Sequence, residues 1–527
     1  IGLAFCDAEL GTSELARATA GHLAPGADPE RVAGFVLGLL QSAPDLLLHT
    51  PETLAAKFQI DVRPQHEVLA IDRSAHTVTV RDLRADAVSE MAYDKLVLSP
   101  GASAVRPPLP GVELAFVLRN VTDLDWLKAA LDSRGPEVVV VGAGFIGVEV
   151  AENLVEAGKH VTVIEAAPQV LPPLDPEMAA GVAVELRRHG VNLHLGVGVA
   201  SIQPDSITLA DGSVLPADLV VLAVGVRPED GLARAAGLAV HERGGILVSD
   251  TLQTSDPHIY AVGDAALVHD ALGNTAFVAL AWGANRQGRL AADHIMGLPV
   301  SFGGHPATAI AKVFDLTVAS TGLSERQLRL QGIEPMVVHT HPGSHAGYYP
   351  GAETMHLKLL FDGVTGKIYG AQAVGGAGTD KRIDVLATAL HAGLTAPDLA
   401  DLPLAYAPPY SSAKDPVNML GYVAQNVMDG VTHTVQWHQV AGSERMLLDV
   451  REAAEFADGA IPGAVNIPLP ELRDRLDELG GGSVLAYCKV GMRGHTATRL
   501  LEGAGIDAVN LDGGYLTWQA GERTLHI

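Results

Sequence analysis

Residues 136–165 read PEVVVVGAGFIGVEVAENLVEAGKHVTVIE, and this stretch decides the fold at the centre of the chain. A run of valines leads into Gly142, Gly144 and Gly147, a helical segment follows, and a second apolar strand ends in Glu165. In a dinucleotide-binding βαβ unit the first glycine permits a tight turn, the second lets the backbone approach a pyrophosphate, and the third lets the helix pack on the sheet. The order of all these parts predicts a nucleotide-binding domain.

Glu165 closes the second strand, where a carboxylate accepts hydrogen bonds from a ribose 2′-hydroxyl and repels a 2′-phosphate. The cofactor expected here is therefore NAD(H), and NADP(H) fits less well. A helix N-terminus that follows the glycine turn would face the phosphates.

Composition excludes several classes of protein. The chain has 527 residues, enough for several domains, and its 36 basic against 61 acidic side chains give a net charge of −25, which argues against a nucleic-acid-binding surface. No apolar run is long enough to span a membrane. The two cysteines, Cys6 and Cys488, suit a reducing compartment, so we expect a cytoplasmic protein. A first residue Ile1 rather than Met is expected of a fragment or a miscalled reading frame.

Short apolar alternations on either side of the nucleotide unit predict strands. The segments FQIDVRP (58–64), HEVLAIDR (66–73), HTVTVRD (76–82) and DKLVLSPG (94–101) predict a β-meander that feeds into a larger sheet. Further strands are expected near Val191, Ile207 and Leu219. The last of these, LVVLAVGVRP (219–228), would return the chain to its first domain, and its Gly225 is a predicted cofactor-binding residue.

The segment TSDPHIYAVGD (254–264) predicts a strand that ends in Gly263 and Asp264, at the strand end where open α/β sheets bind ligands. An aspartate at this place can instead cap the next helix. A nucleotide unit inserted between two halves of another domain and followed by this strand resembles the flavoprotein pyridine nucleotide-disulfide oxidoreductases. The resemblance implies FAD, with Gly263 and Asp264 at its ribityl chain.

A closer resemblance, to the coenzyme A-disulfide reductases, rests on four segments: KVFDLTVASTGL (312–323), HPGSHAGYYPGA (341–352), DKRIDVLATAL (380–390) and LAYAPPYSSAKDPVNMLGYVAQN (404–426). Some members of that group are described as NADH oxidases or persulfide reductases. The resemblance implies a homodimer in which Tyr406 and Tyr410 reach toward the partner's active site. A hydroxyl there can donate a hydrogen bond to an anionic sulfur. The alternative is that both tyrosines pack in a proline-flanked turn.

The chain departs from this family at its start. Members open with a glycine turn for FAD and then a redox cysteine beside the flavin, and neither is present here. Residues 11–45 read as helical, Ala-rich text, and alignment from LLLHTPE (46–52) places the cysteine position near Arg31. Cys6 is the only candidate substitute. Its acidic neighbours disfavour a thiolate, so a structural thiol is the simpler interpretation.

The C-terminal segments MLLDVR (446–451), EFADGAIPGAVNIPL (455–469) and LDGGYLTW (511–518) resemble a rhodanese domain. The strand SVLAY leads into CKVGMR (488–493), a loop whose backbone N–H groups would converge on the Cys488 sulfur at a helix N-terminus and stabilise a persulfide. Lys489 and Arg493 add positive charge, which makes Cys488 the main catalytic candidate. The alternative is a buried, inert cysteine. Asp449 and Arg451 are expected to form a supporting ion pair.

The predicted fold class is α/β, with two nested Rossmann-like nucleotide-binding domains, an α+β dimerisation domain and a C-terminal α/β rhodanese domain. The predicted boundaries are an incomplete FAD-binding domain (1–134 and 254–300), an NAD(H)-binding domain (135–253), a dimerisation domain (301–427), a linker (428–439) and a rhodanese-like domain (440–527). His341 and His345 have no evident third ligand, and no metal is expected.

Three functions follow from these features. The first is an FAD-dependent NAD(P)H:disulfide or persulfide reductase fused to a sulfurtransferase, acting on a small, coenzyme A-linked substrate. The second is an inactive nucleotide-binding scaffold on which only the rhodanese domain is catalytic. The third is a sulfur sensor in which persulfidation of Cys488 changes a partner surface. The acceptor stays open among coenzyme A disulfide, coenzyme A persulfide, polysulfide and oxygen.

Overall fold

The computed structural model describes residues 3–6 and 50–525. The chain divides into two compact units, one within residues 1–164 and 198–305, the other within residues 165–197 and 306–527. The predicted helical text of residues 11–45 and the position near Arg31 lie outside the described residues. No described helix has both the length and the apolar character needed to cross a membrane.

The described strands are numbered in chain order. They are β1 (Leu3–Cys6), β2 (His66–Asp72), β3 (Thr77–Asp82), β4 (Ala87–Ala92), β5 (Leu96–Ser99), β6 (Ala102–Ala104), β7 (Phe116–Val117), β8 (Glu137–Val141), β9 (His160–Glu165), β10 (Asn192–Leu195), β11 (Val199–Ile202), β12 (Ser206–Leu209), β13 (Val214–Pro216), β14 (Leu219–Leu222), β15 (Val226–Pro228), β16 (Ile246–Leu247), β17 (Ile259–Ala261), β18 (Ala266–His269), β19 (Thr275–Ala276), β20 (Ala309–Val313), β21 (Leu316–Gly322), β22 (Met336–Thr340), β23 (His356–Phe361), β24 (Ile368–Gly375), β25 (Thr434–Val435), β26 (Met446–Asp449), β27 (Val465–Asn466), β28 (Val484–Tyr487) and β29 (Ala508–Leu511).

The described α-helices are α1 (Pro51–Phe58), α2 (Val121–Ser133), α3 (Phe145–Glu156), α4 (Pro176–Arg188), α5 (Gly231–Ala235), α6 (Ala281–Ile295), α7 (Glu325–Leu330), α8 (Thr379–Ala392), α9 (Pro416–Met428), α10 (Ala453–Ala457), α11 (Met492–Gly503) and α12 (Gly514–Leu525). Short 3₁₀ turns include Gly263–Ala265 and Trp437–Gln439.

Two parallel sheets form the core of the first unit. Strand β5 lies between β1 and β17 in one, and β9, β8, β14 and β7 lie side by side in the other. Val138–Val141 of β8 are buried, as expected for a valine-rich strand in a parallel sheet that is covered on both faces. The two sheets agree with the predicted pair of nested nucleotide-binding domains.

Two of the predicted meander strands are confirmed as β2 and β3, which pair antiparallel, but the third strand of this sheet is β4, which was not predicted. The predicted strand at 94–101 contains β5, which lies in the parallel sheet with β1 and β17 instead. The predicted strand at 58–64 is wrong. Helix α1 ends at Phe58, and residues 59–65 form no strand. Thr50 and Thr53 form a capping box and Pro51 occupies the first turn, so local capping starts a helix here, and Gln59 ends it in the left-handed conformation.

The predicted single strand at 219–228 is also interrupted. Residues 219–222 form β14 in the parallel nucleotide sheet, whereas residues 226–228 form β15, which pairs antiparallel with β6. Gly225 has a φ of +99° between them, a conformation that favours glycine and turns the chain out of the first sheet. The expected return of the chain to the first domain is made by β15.

An antiparallel sheet in the order β20-β21-β24-β23-β22 dominates the second unit. Helices α8 and α9 cover it, and their apolar faces share one core with the buried side chains of β23 and β24. An antiparallel sheet covered by helices is the α+β arrangement predicted for residues 301–427.

The C-terminal sheet has the order β25-β29-β28-β26-β27, with every described pair parallel. Strand β28 is buried throughout and ends immediately before Cys488. Strand β25 lies inside the predicted linker at 428–439 and pairs with β29. The domain boundaries themselves stay predictions.

Candidate active sites

The glycine turn after β8 has the sterics that the sequence predicts. Gly142 has a φ of +103°, and a Cβ there would lie 2.4 Å from the Ala223 carbonyl oxygen. A Cβ on Gly147 would lie 1.9 Å from the Gly142 oxygen, whereas nothing lies within 4 Å of the corresponding position on Gly144. Gly142 and Gly147 are therefore required by the protein's own packing, whereas Gly144 leaves open space beside the N-terminus of α3.

Glu165 is the last residue of β9 and is half-buried. Its Oε1 accepts a hydrogen bond of 2.8 Å from the N–H of Ala167, which fixes the carboxylate at the strand end. Gly225 likewise has nothing within 4 Å of the Cβ position. Glu165, Gly144 and Gly225 thus lie at strand ends and turns, and the two glycines leave open space beside the backbone.

Asp264 lies in the 3₁₀ turn that follows β17, and its side chain is buried. Arg119 Nη2 donates to Asp264 Oδ2 over 3.0 Å, and the same guanidinium donates from Nε to the Ala102 carbonyl. The Gly263 N–H donates to Gln287 Oε1 over 2.7 Å. No spacing rule in the sequence points to Arg119 or Gln287, because both approach the turn from distant segments.

Tyr406 and Tyr410 lie on the surface of the second unit, 49% and 71% exposed. The hydroxyls of Tyr406 and Tyr348 lie 3.2 Å apart, and this contact raises the pKa of Tyr348. The Tyr410 carbonyl accepts a hydrogen bond from buried Arg382. Arg382 also pairs with Asp415 at 2.9 Å, so a buried ion pair braces the loop that carries the two exposed rings.

Cys488 is fully buried and lies between β28 and α11, whose N-cap is Gly491 with a φ of +92°. Its carbonyl accepts a hydrogen bond from the N–H of Tyr515 over 2.8 Å. Within residues 50–525, the backbone N–H groups of Lys489 to Arg493 have no acceptor. The loop therefore presents a run of unpaired donors at a helix N-terminus, which is the arrangement that binds an anion.

The two basic residues of this loop differ. Lys489 is exposed, whereas Arg493 donates two hydrogen bonds to Glu455, of 2.7 and 2.8 Å. These bonds lower the pKa of Glu455 from its ordinary 4.5 to about 2. Glu455 is the main cause of a raised pKa of Arg493, burial opposes it, and the Cys488 sulfur adds to it. Sequence reasoning missed Glu455, although it lies in one of the segments that resemble rhodanese.

Asp449 and Arg451 form the expected ion pair, with Arg451 Nη2 2.6 Å from Asp449 Oδ2 and both side chains buried. The Arg451 guanidinium lies 4.3 Å from the centroid of the Tyr515 ring. The pair thus links the end of β26 to Tyr515, whose N–H donates to the Cys488 carbonyl.

His341 and His345 do not come together as ligands. His341 lies against His356, with their Nδ1 atoms 2.7 Å apart, and burial lowers the pKa of both rings. The His345 ring contacts Ser344 and the Pro350 carbonyl.

Family models match three consecutive parts of this chain. The pyridine nucleotide-disulphide oxidoreductase model matches residues 20–288, the dimerisation domain of the same family matches residues 308–416, and the rhodanese-like domain matches residues 434–521. The first match alone spans half of the chain.

The chain belongs to the pyridine nucleotide-disulphide oxidoreductase family. A coenzyme A disulfide reductase of Staphylococcus aureus is 36% identical over 395 residues, which cover 74% of this chain and 90% of the relative. Among solved structures, the reduced CoADR-RHD of Bacillus anthracis is 46% identical with a TM-score of 0.91, and covers 93% of this chain and 91% of its own. A NAD-dependent persulfide reductase from A. fulgidus is 34% identical with a TM-score of 0.88, and covers 98% and 95%.

These matches confirm the predicted resemblance and the predicted order of domains in this oxidoreductase. They support FAD together with NAD(P)H as its cofactors, and its dimerisation domain supports a homodimer. The open side of the Gly144 turn fits the backbone approach of a pyrophosphate. The buried Asp264 carboxylate at a parallel strand end fits a hydroxyl-bearing chain.

A buried network of charges in the second unit of the oxidoreductase was not foreseen from its sequence. Lys358 Nζ lies 2.9 Å from Asp175, 2.5 Å from Glu177 and 2.7 Å from Glu325, and its side chain is fully buried. Burial would lower the pKa of Lys358, but the three carboxylates outweigh it and raise that pKa. Asp175 is the N-cap residue of α4, Glu177 lies in the first turn of that helix, and Glu325 begins α7. These helices are far apart in sequence, so no local pattern reveals the cluster.

Proposed function

We propose that this chain is an FAD-dependent NAD(P)H:disulfide or persulfide oxidoreductase whose substrate is linked to coenzyme A, and that Cys488 of its rhodanese domain carries sulfane sulfur. The proposal rests on one observation above the others: a fully buried cysteine precedes a run of unpaired N–H donors at the N-terminus of α11. Two relatives support the proposal, because a coenzyme A disulfide reductase and a persulfide reductase match most of the chain.

In the reductase half, Gly142, Gly144 and Gly147 would hold the pyrophosphate of the nicotinamide cofactor, and Glu165 would accept from its ribose. This assignment favours NAD(H) over NADP(H). Gly263 and Asp264 would hold the ribityl chain of FAD. When bound, FAD accepts hydride from the reduced nicotinamide and supplies the electrons that reduce a sulfur–sulfur bond.

In the rhodanese half, the Cys488 thiolate attacks the outer sulfur of a donor such as thiosulfate. The bond between the two donor sulfurs breaks, sulfite leaves with that electron pair, and a cysteine persulfide anion remains on Cys488. The unpaired N–H groups of residues 489–493 stabilise the anion before and after transfer. Lys489, which is exposed, would attract an anionic donor, while Arg493 is held in place by Glu455.

Tyr406 and Tyr410 are proposed to serve the partner subunit's active site as hydrogen-bond donors to a leaving thiolate. Their exposure leaves both hydroxyls accessible to a second copy.

The test uses the full chain with its only two cysteines changed separately. Cys488→Ser is expected to abolish sulfur transfer from thiosulfate to cyanide, because a serine cannot hold the transferred sulfur, and to leave NADH oxidation intact. Cys6→Ser is the matched control for sulfur transfer. Full transfer by Cys488→Ser would overturn the assignment of Cys488.

NADH oxidation that depends on coenzyme A disulfide or coenzyme A persulfide tests the reductase half. Loss of this activity in Cys6→Ser would give Cys6 the role of the missing redox cysteine. A wild-type chain that binds no flavin and oxidises no NADH with either acceptor would refute the reductase half and leave the scaffold alternative.

A further inference from the structure

Residues 512–516, here named the strap, lie directly against the Cys488 loop. The N–H of Tyr515 donates to the Cys488 carbonyl over 2.8 Å, and the N–H of Leu516 donates to the Lys489 carbonyl over 3.0 Å. A Cβ on Gly514 would lie 2.5 Å from the Cys488 oxygen and 2.7 Å from the Gly491 nitrogen. The position of the strap therefore sets the position of the loop backbone around the sulfur.

The strap cannot hold its own conformation well. Gly513 and Gly514 have φ values of +65° and +64°, and glycine populates many other backbone conformations at little cost. Contacts from outside the strap must select this one.

Asp512 at the start of the strap donates its N–H to the Val435 carbonyl and accepts from Gln436 Nε2. Two histidines add further contacts, one in β22 and the other directly after it. His339 Nδ1 lies 2.6 Å from Asp512 Oδ2, and the His339 backbone N–H donates to Asp512 Oδ1 over 3.1 Å. Two residues further on, His341 Nε2 lies 2.7 Å from Thr517 Oγ1, just past the other end of the strap. His339 and His341, two residues apart along the extended chain, thus contact one end of the strap and the residue just past its other end.

The His339 ring is itself held on its other side. Its Nε2 lies 3.0 Å from Glu177 Oε1 of α4, and the ring is buried. Since both ring nitrogens face carboxylates, both carry a proton and donate. Glu177 also contacts Lys358 at 2.5 Å, so the strap is tied to the buried charge network beneath the antiparallel sheet.

We propose that His339 is a positioning residue of the sulfurtransferase site, which ties the strap to the antiparallel sheet of the predicted dimerisation domain and thereby sets the donor geometry around Cys488. The inference rests on the proposed function of Cys488. It means that the sulfurtransferase loop of this chain is shaped by a residue that lies outside the rhodanese match at 434–521.

The test compares two amide substitutions at one position. In His339→Asn the side-chain nitrogen overlays Nδ1 and keeps a donor to Asp512, while the contact with Glu177 is lost. In His339→Gln the nitrogen overlays Nε2 and keeps a donor to Glu177, while the side-chain contact with Asp512 is lost. Both remove the same charge from the same buried place, so each is the control for the other.

Sulfur transfer from thiosulfate is measured on both full-length variants, with NADH binding and thermal unfolding measured in parallel. We expect His339→Gln to lower kcat for sulfur transfer about tenfold to a hundredfold, the range that a displacement of about 1 Å produces in a catalytic site. His339→Asn is expected to stay within about threefold of wild type, even if both variants unfold at the same lower temperature, because the strap remains anchored.

Equal kcat values in the two variants would overturn the proposal, since a merely structural histidine would show no difference between them. Failure of both variants to fold would assign His339 to folding rather than positioning, and would overturn it too. Absence of sulfur transfer in the wild-type chain would instead refute the proposed function of Cys488, which keeps the two failures distinguishable.

Discussion

Replacement of Lys358 by methionine should destabilise the second unit far more than loss of one surface charge. The ammonium is fully buried and lies within 2.9 Å of carboxylates of Asp175, Glu177 and Glu325. Oxygen atoms of these three acids lie within 4.8 Å of one another, so methionine leaves three like charges together in the interior. Removal of one partner from a buried ion pair typically costs about 3 to 5 kcal/mol.

The matched control is Lys381→Met. Lys381 is partly exposed and lies 3.8 Å from Asp415, whose carboxylate keeps its closer partner Arg382 at 2.9 Å, so loss of the exposed ammonium should cost only about 0 to 1 kcal/mol. Both variants are compared with wild type by urea unfolding followed by tryptophan emission, at one protein concentration because a dimer's stability depends on it. A Lys358→Met chain that unfolds at the same urea concentration as Lys381→Met would refute the claim that this cluster stabilises the unit.

The loss of stability caused by Lys358→Met should also depend on pH. Burial would raise the pKa of Glu177, but Lys358 and His339 outweigh it and lower that pKa below its ordinary 4.5. In wild type, the stability from this carboxylate is present above pH 4.5 and is lost only as the pH falls through the lowered value. Without Lys358 the crowded acids take up protons in the folded state, so the difference between variant and wild type should shrink from pH 8 toward pH 5. An undiminished difference at pH 5 would contradict this account.

Three further outcomes follow from the other sites. Gly147→Ala should lower both the unfolding temperature and the affinity for NADH, because its Cβ would lie 1.9 Å from the Gly142 oxygen. Gly144→Ala should weaken NADH binding alone, since its Cβ would meet open space. Equal unfolding temperatures of the two variants would contradict this difference. Glu165→Gln should raise the ratio of kcat/KM for NADPH over NADH by about tenfold or more, measured by steady-state kinetics, and an unchanged ratio would remove Glu165 from the ribose site. Burial would lower the pKa of His339, but Asp512 and Glu177 outweigh it and raise that pKa from 6.5 to about 9. The stability that His339 contributes should be fully present below pH 6.5 and should disappear as the pH rises through about 9. When unfolding of wild type and of His339→Asn is compared across that range, only wild type should lose this stability.

The features predicted correctly from the sequence are those that depend on interactions between neighbouring residues. The valine run, the glycines at 142 and 147 and the helix after them each follow from short-range sterics, and the structure has them where the sequence places them. The same holds for the strand and helix on either side of Cys488. The prediction was wrong at residues 58–64, because helix α1 includes Phe58 and the left-handed Gln59 then breaks the extended backbone that a strand requires.

The sequence by itself determined the family, the nucleotide turn and the identity of the sulfurtransferase loop, because each is written in residues that neighbour one another along the chain. Only the tertiary structure decided how that loop is held. The Arg493–Glu455 pair, the His339–Asp512 anchor and the acids around Lys358 join segments separated by tens to hundreds of residues. Such contacts depend on how sheets and helices pack, and a buried charge finds its partners only once that packing removes it from water.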